Sequence, residues 1–457
     1  MTNTHESLLT VLAEQIEPHK KILVGFSGGL DSTVLLHLLV RLRAQYQQQN
    51  YQQQNCEPMI LRAIHIHHGL NSKADLWVEH CRQICVDWQV DFRTEKVSLD
   101  IRRNGVEAAA RDARYQSFQR ELQQGEILAT AQHLDDQAET FLLALKRGSG
   151  PAGLSSMPAR MPFAGTTLIR PLLNVSRAEL EEYAQTQKLQ WVEDDSNQDD
   201  RYDRNFLRLN IMPLFNQRWP HFPQAVSRSA SLCGEQEQLL DELLQESLDS
   251  LITAEGSISI PPLENSSEAK RNALLRRWLS QCGVKMPARE QLQRIWSEVA
   301  LARQDAEPRF RLGQYDIRRY RQQLWLLPQY QDLAGTILAW DLQKSLTLPD
   351  GLGTLLCSKE HGMTVRKPTS HEQAAIRFGV QGNISIVGRQ HSRHSKKLWQ
   401  ELGVAPWLRE RTPLLYYNEK LIAALGVFIT KEGQNLPDDE GISVQWDKIT
   451  EPVLHLV

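Results

Sequence analysis

The chain is 457 residues long with a net charge of −3, and because one hydrophobic core stops growing near ~250–300 residues, two or three domains are expected. No apolar run reaches the ~18 residues of a membrane span, and the first residues lack the basic and apolar regions of a signal peptide, so a cytoplasmic protein without a membrane segment is expected. The six cysteines include no Cys-x-x-Cys pair, which disfavours a redox or iron–sulfur enzyme.

A glycine loop follows the first predicted strand. The strand covers residues 21–26, residues 27–32 read Ser-Gly-Gly-Leu-Asp-Ser, and an apolar helical run comes next. Two glycines let the backbone approach a ligand closely, and the helix start directs its free N–H groups at the same point, which predicts a phosphate site. The lysine of the commoner phosphate loop is absent and Asp31 stands in its place, which suits Mg²⁺. The alternative is a tight turn in which Asp31 or Ser32 only caps the helix.

Strands and helices then alternate. Strands are predicted at 60–67, 90–99, 126–131 and 167–170, and helices at about 73–88, 105–122, 134–146 and from 176 onward. A glutamine-rich insert at 45–55 is predicted to be a solvated extension that carries no site. Strands separated by helices predict an α/β domain with a doubly wound parallel sheet over residues 1–215, with ligands at the carboxyl ends of the strands.

The pattern changes after this domain. Helices predicted at 224–251 and 268–303 and a strand pair at 309–327 indicate a mainly helical middle domain over residues 216–345. Short strands predicted at 363–366, 384–387 and 420–428 indicate a small mixed α/β C-terminal domain over residues 346–457.

The C-terminal domain is basic. Residues 359–431 contain 12 Lys and Arg against 5 Asp and Glu, a net charge of +7 in a chain that is −3 in total. A basic stretch with aromatic residues suits an RNA surface, although Trp399 and Trp407 fit a hydrophobic core equally well.

Polar residues follow two further strands of the predicted sheet. His65 and His67 share a strand face, but no cysteine or acid completes a tetrahedral metal set, so a backbone contact with adenine beside Gly69 is favoured over a metal. Residues 133–139 place a histidine and three acids where a helix begins. The helix dipole alone favours acids there, but three acids and a histidine exceed what capping requires.

Arginines supply the last candidates. Arg111 lies one helical turn after Glu107, so the two predict either a surface ion pair or a guanidinium that reaches a phosphate or carboxylate. Arg204 and Arg208 lie one turn apart in a polar cluster that composition alone would assign to a loop and a helix start.

Taken together, these motifs resemble those of the tRNA(Ile)-lysidine synthase family, which carries the pyrophosphate loop of the ATP pyrophosphatases. The matching segments, in order, are residues 27–32, 65–70, 107–115, 133–140, 147–154, 193–208, 395–398 and 406–415. The resemblance runs from about residue 20 to about residue 430 and is weakest across the middle helices. The glutamine insert and Leu134 depart from the family pattern, and neither touches the proposed chemistry.

The resemblance implies a reaction in two steps. ATP adenylates the C2 carbonyl of the wobble cytidine in the CAU anticodon of tRNA(Ile), and the ε-amine of free L-lysine then displaces AMP to give lysidine. The residues assigned to ATP are Ser27, Gly28, Gly29, Leu30, Asp31 and Ser32, and Asp31 is also assigned to Mg²⁺. The residues assigned to catalysis are Asp31, Arg111, His133 and Asp136, and those assigned to lysine are Asp135, Asp136 and Glu139. The residues assigned to tRNA are Arg204, Arg208, Arg389, Arg393, Lys396, Lys397, Arg409 and Arg411.

Three alternatives stay open at this stage. A tRNA thiolase of the same loop family would need cysteines that the spacing does not provide. A small-molecule adenylating amide ligase would not need the basic C-terminal domain, and a non-catalytic RNA-binding module would not need the loop. The acid that deprotonates lysine, the tRNA bases that are read and the oligomeric state, with a homodimer among the options, are also left open.

Overall fold

The computed structural model describes residues 2–16, 19–50, 58–69, 71–99, 105–303, 306–358, 362–436 and 439–448. The chain divides into two compact units, Met1–Leu240 and Asp241–Val457. Three domains with boundaries after residues 215 and 345 therefore stay a prediction. Within the described residues, no helix is both long and apolar enough to cross a membrane.

A six-stranded sheet forms the centre of the first unit. Its strands are β1 (Lys21–Gly25), β2 (Ile60–His67), β3 (Asp91–Lys96), β4 (Glu126–Ala129), β5 (Arg160–Phe163) and β6 (Thr166–Ile169). Their order is β3-β2-β1-β4-β6-β5, and all pair in parallel except β5, which is antiparallel to β6. Ile22, Leu23 and Val24 of the central strand are wholly buried, as expected for a strand covered on both faces. The α/β class and the parallel sheet predicted for this region are confirmed.

Helices cover both faces of this sheet. Residues of α1 (Thr2–Ile16), α2 (Leu30–Asn50), α3 (Ala74–Asp87) and α7 (Arg177–Thr186) pack on one face and α4 (Gly105–Glu121) on the other. The remaining helices are α5 (Leu134–Lys146), α6 (Pro151–Leu154), α8 (Asp203–Phe206), α9 (Met212–Arg218) and α10 (Phe222–Asp249), whose residues from Asp241 belong to the second unit. The strand order changes direction between β1 and β4, so the loops that lead into α2 and α5 meet at the carboxyl ends of these two strands. Such a switch point is where doubly wound sheets bind ligands.

Several elements of this unit, α1 and β5 among them, lie outside the predicted set. The helix α1 was not expected, and the strand predicted at 167–170 is half of a hairpin whose other half is β5. Ala164 and Gly165 connect the hairpin with φ of 49° and 77°, the left-handed conformation of a two-residue turn. The glutamine insert begins as the end of α2, and its residues 51–55 lie outside the described part of the chain.

The second unit begins with helices and continues as antiparallel sheets. Its helices are α11 (Ile260–Glu264), α12 (Glu268–Gln281), α13 (Arg289–Arg294), α14 (Ser395–Glu401) and α15 (Pro406–Arg409). The first sheet has the order β7-β10-β9-β8, with β7 (Ile258–Ser259), β8 (Arg309–Leu312), β9 (Tyr315–Tyr320) and β10 (Gln323–Pro328). The strand pair predicted at 309–327 is thus three strands, and it packs with α12 around the wholly buried Trp278.

The C-terminal part contains more strand than was predicted. The strands are β11 (Ile337–Ala339), β12 (Leu346–Thr347), β13 (Thr354–Ser358), β14 (Met363–Arg366), β15 (Ala374–Arg377), β16 (Asn383–Ile384), β17 (Arg393–His394), β18 (Leu414–Tyr417), β19 (Lys420–Ala424), β20 (Phe428–Ile429) and β21 (Gly441–Asp447). They form sheets in the orders β11-β15-β18-β19-β20, β12-β13-β21-β14 and β16-β17. The strand predicted at 363–366 is β14, and the one predicted at 420–428 divides into β19 and β20.

Candidate active site

The glycine loop lies at the switch point between β1 and α2. Gly28 has a φ of 81°, and a Cβ atom there would lie 2.6 Å from the sulfur of Cys81 and 3.2 Å from a methyl group of Val192. Only glycine fits this conformation and this space. The Ser32 hydroxyl donates to the Gly29 carbonyl at 3.1 Å and lies 3.0 Å from the Ser27 hydroxyl, so its hydrogen bonds hold the loop together. The start of α2 is therefore arranged as a phosphate site is expected to be.

Asp31 lies in the first turn of α2 with one carboxylate oxygen unused. Its Oδ1 is buried without a hydrogen-bond partner, and its Oδ2 lies 3.6 Å from Nε2 of His133. Burial raises the pKa of the Asp31 carboxyl, His133 opposes that rise, and Asp136 adds to it. An unpartnered carboxylate at a phosphate loop fits Mg²⁺, which proteins bind through one or two carboxylates plus substrate phosphates. The described residues contain no group of three or more side chains that would form a metal cage by itself.

His133 joins Asp31 to the acids of α5. It caps this helix: its ring Nδ1 accepts from the backbone N–H of Asp135 at 3.2 Å, and its backbone N–H donates to the Asp136 carboxylate at 3.2 Å. The carboxylates of Asp31, Asp135 and Asp136 lie 3.5–3.6 Å from its ring nitrogens. Burial alone would lower the pKa of His133, but these carboxylates, Asp136 first, raise it to about 9. When the ring is charged, Nδ1 carries a proton and faces the Asp135 carboxylate instead of accepting from the backbone.

Glu139 is fully enclosed by two arginines. Arg208 donates to both of its oxygens, from Nε at 2.8 Å and from Nη2 at 3.0 Å, and Arg204 Nη1 lies 3.4 Å away. Arg208 also donates to Asp136 at 3.2 Å. Arg204 and Arg208 were predicted to bind tRNA, and here they form ion pairs with two acids predicted to bind lysine. Both assignments stay predictions, but an ammonium can reach Glu139 only after an arginine moves.

The structure separates Glu107 from Arg111. Glu107 lies 3.4 Å from Arg204, whereas the Arg111 guanidinium is 5.5 Å from the centre of the Tyr115 ring. The surface ion pair considered for Glu107 and Arg111 is therefore replaced by these contacts, and the catalytic role of Arg111 stays a prediction.

The end of β2 lies beside the loop. His65 is buried, with Nδ1 3.0 Å from the Phe26 carbonyl oxygen and 3.5 Å from Cys81 sulfur. Gly69 has a φ of 69°, and a Cβ atom there would meet no atom within 4 Å. This open space accords with the close approach expected there, and the next residue of the motif, at position 70, lies outside the described residues.

The glycine loop is contacted by a segment for which the sequence predicted no such contact. We call residues 191–199 the covering segment. The Val192 N–H donates to the Gly28 carbonyl at 2.9 Å, and Asn205 of α8 binds the far end of the segment. The acids and arginines at 193–208 were a signal that this region matters, but nothing local to Val192 indicates a contact with Gly28.

The basic residues predicted to contact tRNA in the second unit are of two kinds. Arg411 is buried, pairs with Asp350 and lies 3.9 Å from the centre of the Tyr330 ring, and Arg409 donates to the Val404 carbonyl at 2.9 Å. Lys396 and Lys397, by contrast, are exposed in the first turn of α14.

Arg389 and Arg393 both face Glu401, the first through a hydrogen bond and the second at 3.9 Å. Trp399 and Trp407 are buried. Of the two alternatives, an RNA surface or the hydrophobic core, they therefore belong to the core.

A loop of this sequence at the switch point of a parallel sheet defines the PP-loop class of ATP-using enzymes, and residues 1–215 match the family model described as the PP-loop domain. Residues 258–325 match the TilS substrate binding domain and residues 374–446 the TilS substrate C-terminal domain. The chain is 66% identical to tRNA(Ile)-lysidine synthase of Photorhabdus laumondii, over 98% of this chain and 99% of that one. The same enzyme of Yersinia pseudotuberculosis is 56% identical, over 96% and 99% of the two chains. This chain belongs to the tRNA(Ile)-lysidine synthase family of ATP-dependent ligases.

Proposed function

We propose that the protein converts the wobble cytidine of CAU-anticodon tRNA(Ile) to lysidine with ATP and free L-lysine, and that it acts in the cytoplasm, where these substrates occur. One observation carries this proposal: the loop acid Asp31 and Asp136 of α5 both face Nε2 of the His133 ring, and Asp135 faces Nδ1, all within 3.6 Å. An activated base formed at the loop and an amine recruited by α5 would therefore meet in one cluster.

The first step is adenylation of the base. The C2 carbonyl oxygen of cytidine attacks the α-phosphorus of ATP, and pyrophosphate leaves. The N–H groups at the start of α2 would hold the phosphates, and Asp31 would hold Mg²⁺, which neutralises charge on the departing pyrophosphate. A charged His133 beside Asp31 would add a positive charge to the same place. The carbonyl oxygen becomes part of AMP, which leaves more easily than the oxygen alone.

The second step needs a neutral amine. Deprotonating a lysine ammonium of pKa ~10.4 at pH 7 costs about 4.6 kcal/mol. Carboxylates raise an ammonium pKa, so they recruit lysine and do not by themselves deprotonate it. Burial opposes ionisation of Asp135, but contacts with the His133 ring and the Arg177 N–H hold its pKa below the usual value. Asp135 is thus a carboxylate at neutral pH, and with Asp136 it is better exposed to an incoming ammonium than Glu139 is.

A direct assay tests the whole proposal. Labelled lysine should enter total tRNA only when ATP is present, with one AMP and one pyrophosphate released per lysine. A thiolase or an amide ligase acting on small molecules would leave the tRNA unlabelled, and an RNA-binding module would not consume ATP. ATP consumption without lysine in tRNA would contradict the proposal while keeping the ATP-using class.

The lysine site is tested by amide substitutions. We expect Asp135→Asn or Asp136→Asn to raise the KM for lysine ~10- to 150-fold, because a hydrogen bond to a charged group contributes ~1.5–3 kcal/mol. The KM for ATP should change less in the Asp135 variant, because Asp135 faces Nδ1 of His133 whereas Asp31 faces Nε2. Steady-state kinetics with each substrate varied in turn gives both constants.

The control for the lysine site is Asp112→Asn, which changes an exposed acid of α4 and should keep both constants. A normal lysine KM in both variants, together with a normal value for Glu139→Gln, would show that the ammonium binds elsewhere and that these acids only organise the start of α5.

The RNA surface is tested by salt dependence. Changing Lys396 and Lys397 together to alanine should weaken tRNA binding, and the slope of log K against log salt should flatten by ~0.7–0.9 per lysine if each contacts a phosphate. The flattening for the pair is then about 1.4–1.8. ATP affinity should not change, because every residue assigned to ATP lies in the first unit. Binding titrations with tRNA at several salt concentrations measure the slope.

A matched control for this pair is the replacement of Lys285 and Lys344, two other exposed lysines of the second unit, together by alanine, which removes the same charge and should keep the slope. Equal slopes for the variant of Lys396 and Lys397 and the unchanged protein would remove these two lysines from the RNA surface, leaving them as solvated charges on a helix.

A further inference from the structure

Asn205 is a buried amide between Arg204 and Arg208. Among the four residues of α8 it is the buried one, 9% exposed. Its Nδ2 donates to the carbonyl oxygens of Ser196 and Asp199, both at 2.9 Å. An asparagine amide has two hydrogens to donate, and both are used on the covering segment. This segment is thereby fixed to α8 at the two ends of its short helical turn, Asp195–Gln198.

The other end of the covering segment supports the glycine loop. The Val192 N–H donates to the Gly28 carbonyl at 2.9 Å, and a methyl group of Val192 would lie 3.2 Å from a Cβ atom at Gly28. Gly28 has the left-handed φ of 81° on which the loop depends. A loop that must hold phosphates in one geometry gains from being fixed before they arrive, because its ordering then costs nothing at binding.

Trp191 packs against the main hydrophobic core and anchors the start of the covering segment, whereas the other anchors of its far end are weak. Asn71 donates to Asp194 at 3.4 Å, and Lys73 forms an exposed ion pair with Asp195 at 2.6 Å. Exposed ion pairs contribute little to stability. The two hydrogen bonds from Asn205 restrain the end of the segment that is farther from Trp191 and Val192.

We propose that Asn205 is a positioning residue for ATP: by holding the covering segment, it keeps Val192 against Gly28 and presets the phosphate-binding loop. Arg204 and Arg208 belong to the same stretch of helix as Asn205. Asn205 therefore also fixes where the phosphate-binding loop lies relative to these two arginines, which contact Asp136 and Glu139. The assignment rests on the proposed function only in taking residues 27–32 as the ATP site.

Asn205→Asp tests this role with almost no change of size. The carboxylate cannot donate and faces two carbonyl oxygens, so the covering segment should detach. We expect the Kd for ATP with Mg²⁺, measured by calorimetry on the full chain without tRNA or lysine, to rise about tenfold, which corresponds to ~1.4 kcal/mol. Hydrogen exchange of the Val192 amide should become faster. The control is Asn265→Asp, an exposed asparagine of the second unit, which should keep both values.

A second variant guards against misfolding. Asn205→Ser keeps one donor without adding a charge, and we expect a rise in Kd of about threefold with faster exchange across residues 191–199. A purely structural role would lower Tm and the active fraction while leaving the ATP Kd of the folded protein unchanged, and that result in Asn205→Ser would overturn the proposal. Since ATP binding is measured directly, the outcome does not depend on whether lysine is transferred to tRNA.

Discussion

Asp31→Asn is expected to abolish adenylation while leaving the fold intact. The change keeps the shape of the side chain and removes the charge that would hold Mg²⁺ at the pyrophosphate. Removing one preorganised group that stabilises developing charge costs ~10²–10³ in rate, and we expect a loss of at least this size. Pyrophosphate release on mixing the enzyme with ATP, Mg²⁺, lysine and tRNA measures it.

Stability should not fall with this loss of activity. Burial and the neighbouring Asp136 raise the pKa of Asp31, which means that folding disfavours its charged form. Losing that charge therefore costs little, although it also removes one of the carboxylates that stabilise the charged His133, so the Tm of the asparagine variant should stay close to that of the unchanged protein. Its affinity for tRNA should also be kept.

The matched control for Asp31 is Asp75→Asn. Asp75 also lies in the first turn of a helix that follows a strand of the same sheet, but it is exposed and pairs with Lys96. This variant should keep full activity. If Asp31→Asn retains a tenth or more of normal lysidine formation, the assignment of Asp31 to Mg²⁺ is wrong. Asp31 would then be an acid that only caps its helix.

Much of the first unit follows from local sequence patterns. The bounds predicted for β2 and α5 match the structure. Ile60, Ile64 and Ile66 give β2 the composition of a strand despite its arginine and two histidines, and capping residues mark the start of α5. The glycine loop could be predicted for the same reason, since residues 27–32 contain both the glycines of the turn and the acid. These features depend on residues that are neighbours in the sequence, so the sequence alone is enough to predict them.

The contacts that organise the site are long-range, and no local pattern reveals them. Gly28 needs glycine partly because Cys81 and Val192 fill the space of a side chain, and both are distant in sequence. The same holds for Glu139, whose neighbours in sequence indicate a helix face and whose real partners are Arg204 and Arg208. In the basic C-terminal stretch, the charge count overstates the charge available to RNA. It includes Arg411, which is buried against Asp350.

Glu139→Gln is expected to destabilise the first unit strongly. Breaking a buried ion pair by removing one partner costs ~3–5 kcal/mol. The guanidinium groups of Arg204 and Arg208 are about a quarter exposed, so water relieves part of the loss, and we expect a fall in the free energy of unfolding of ~3 kcal/mol, at the lower end of that range. Urea unfolding followed by circular dichroism measures it. The control is Glu181→Gln, which breaks an exposed pair with Arg177 and should cost ~0–1 kcal/mol.

A double variant separates the structural role of this pair from its role in the reaction. Replacing Glu139 and Arg208 together by leucine removes both buried charges, and such replacements are often neutral or stabilising, so most of the lost stability should return. Activity should not return, because Arg208 also holds Asp136 at 3.2 Å and the site needs its positive charge beside the carboxylates. Recovery of lysidine formation along with stability would mean that the pair serves the fold alone. A loss of less than 1 kcal/mol in Glu139→Gln would mean instead that Glu139 is free to exchange its arginines for the lysine ammonium.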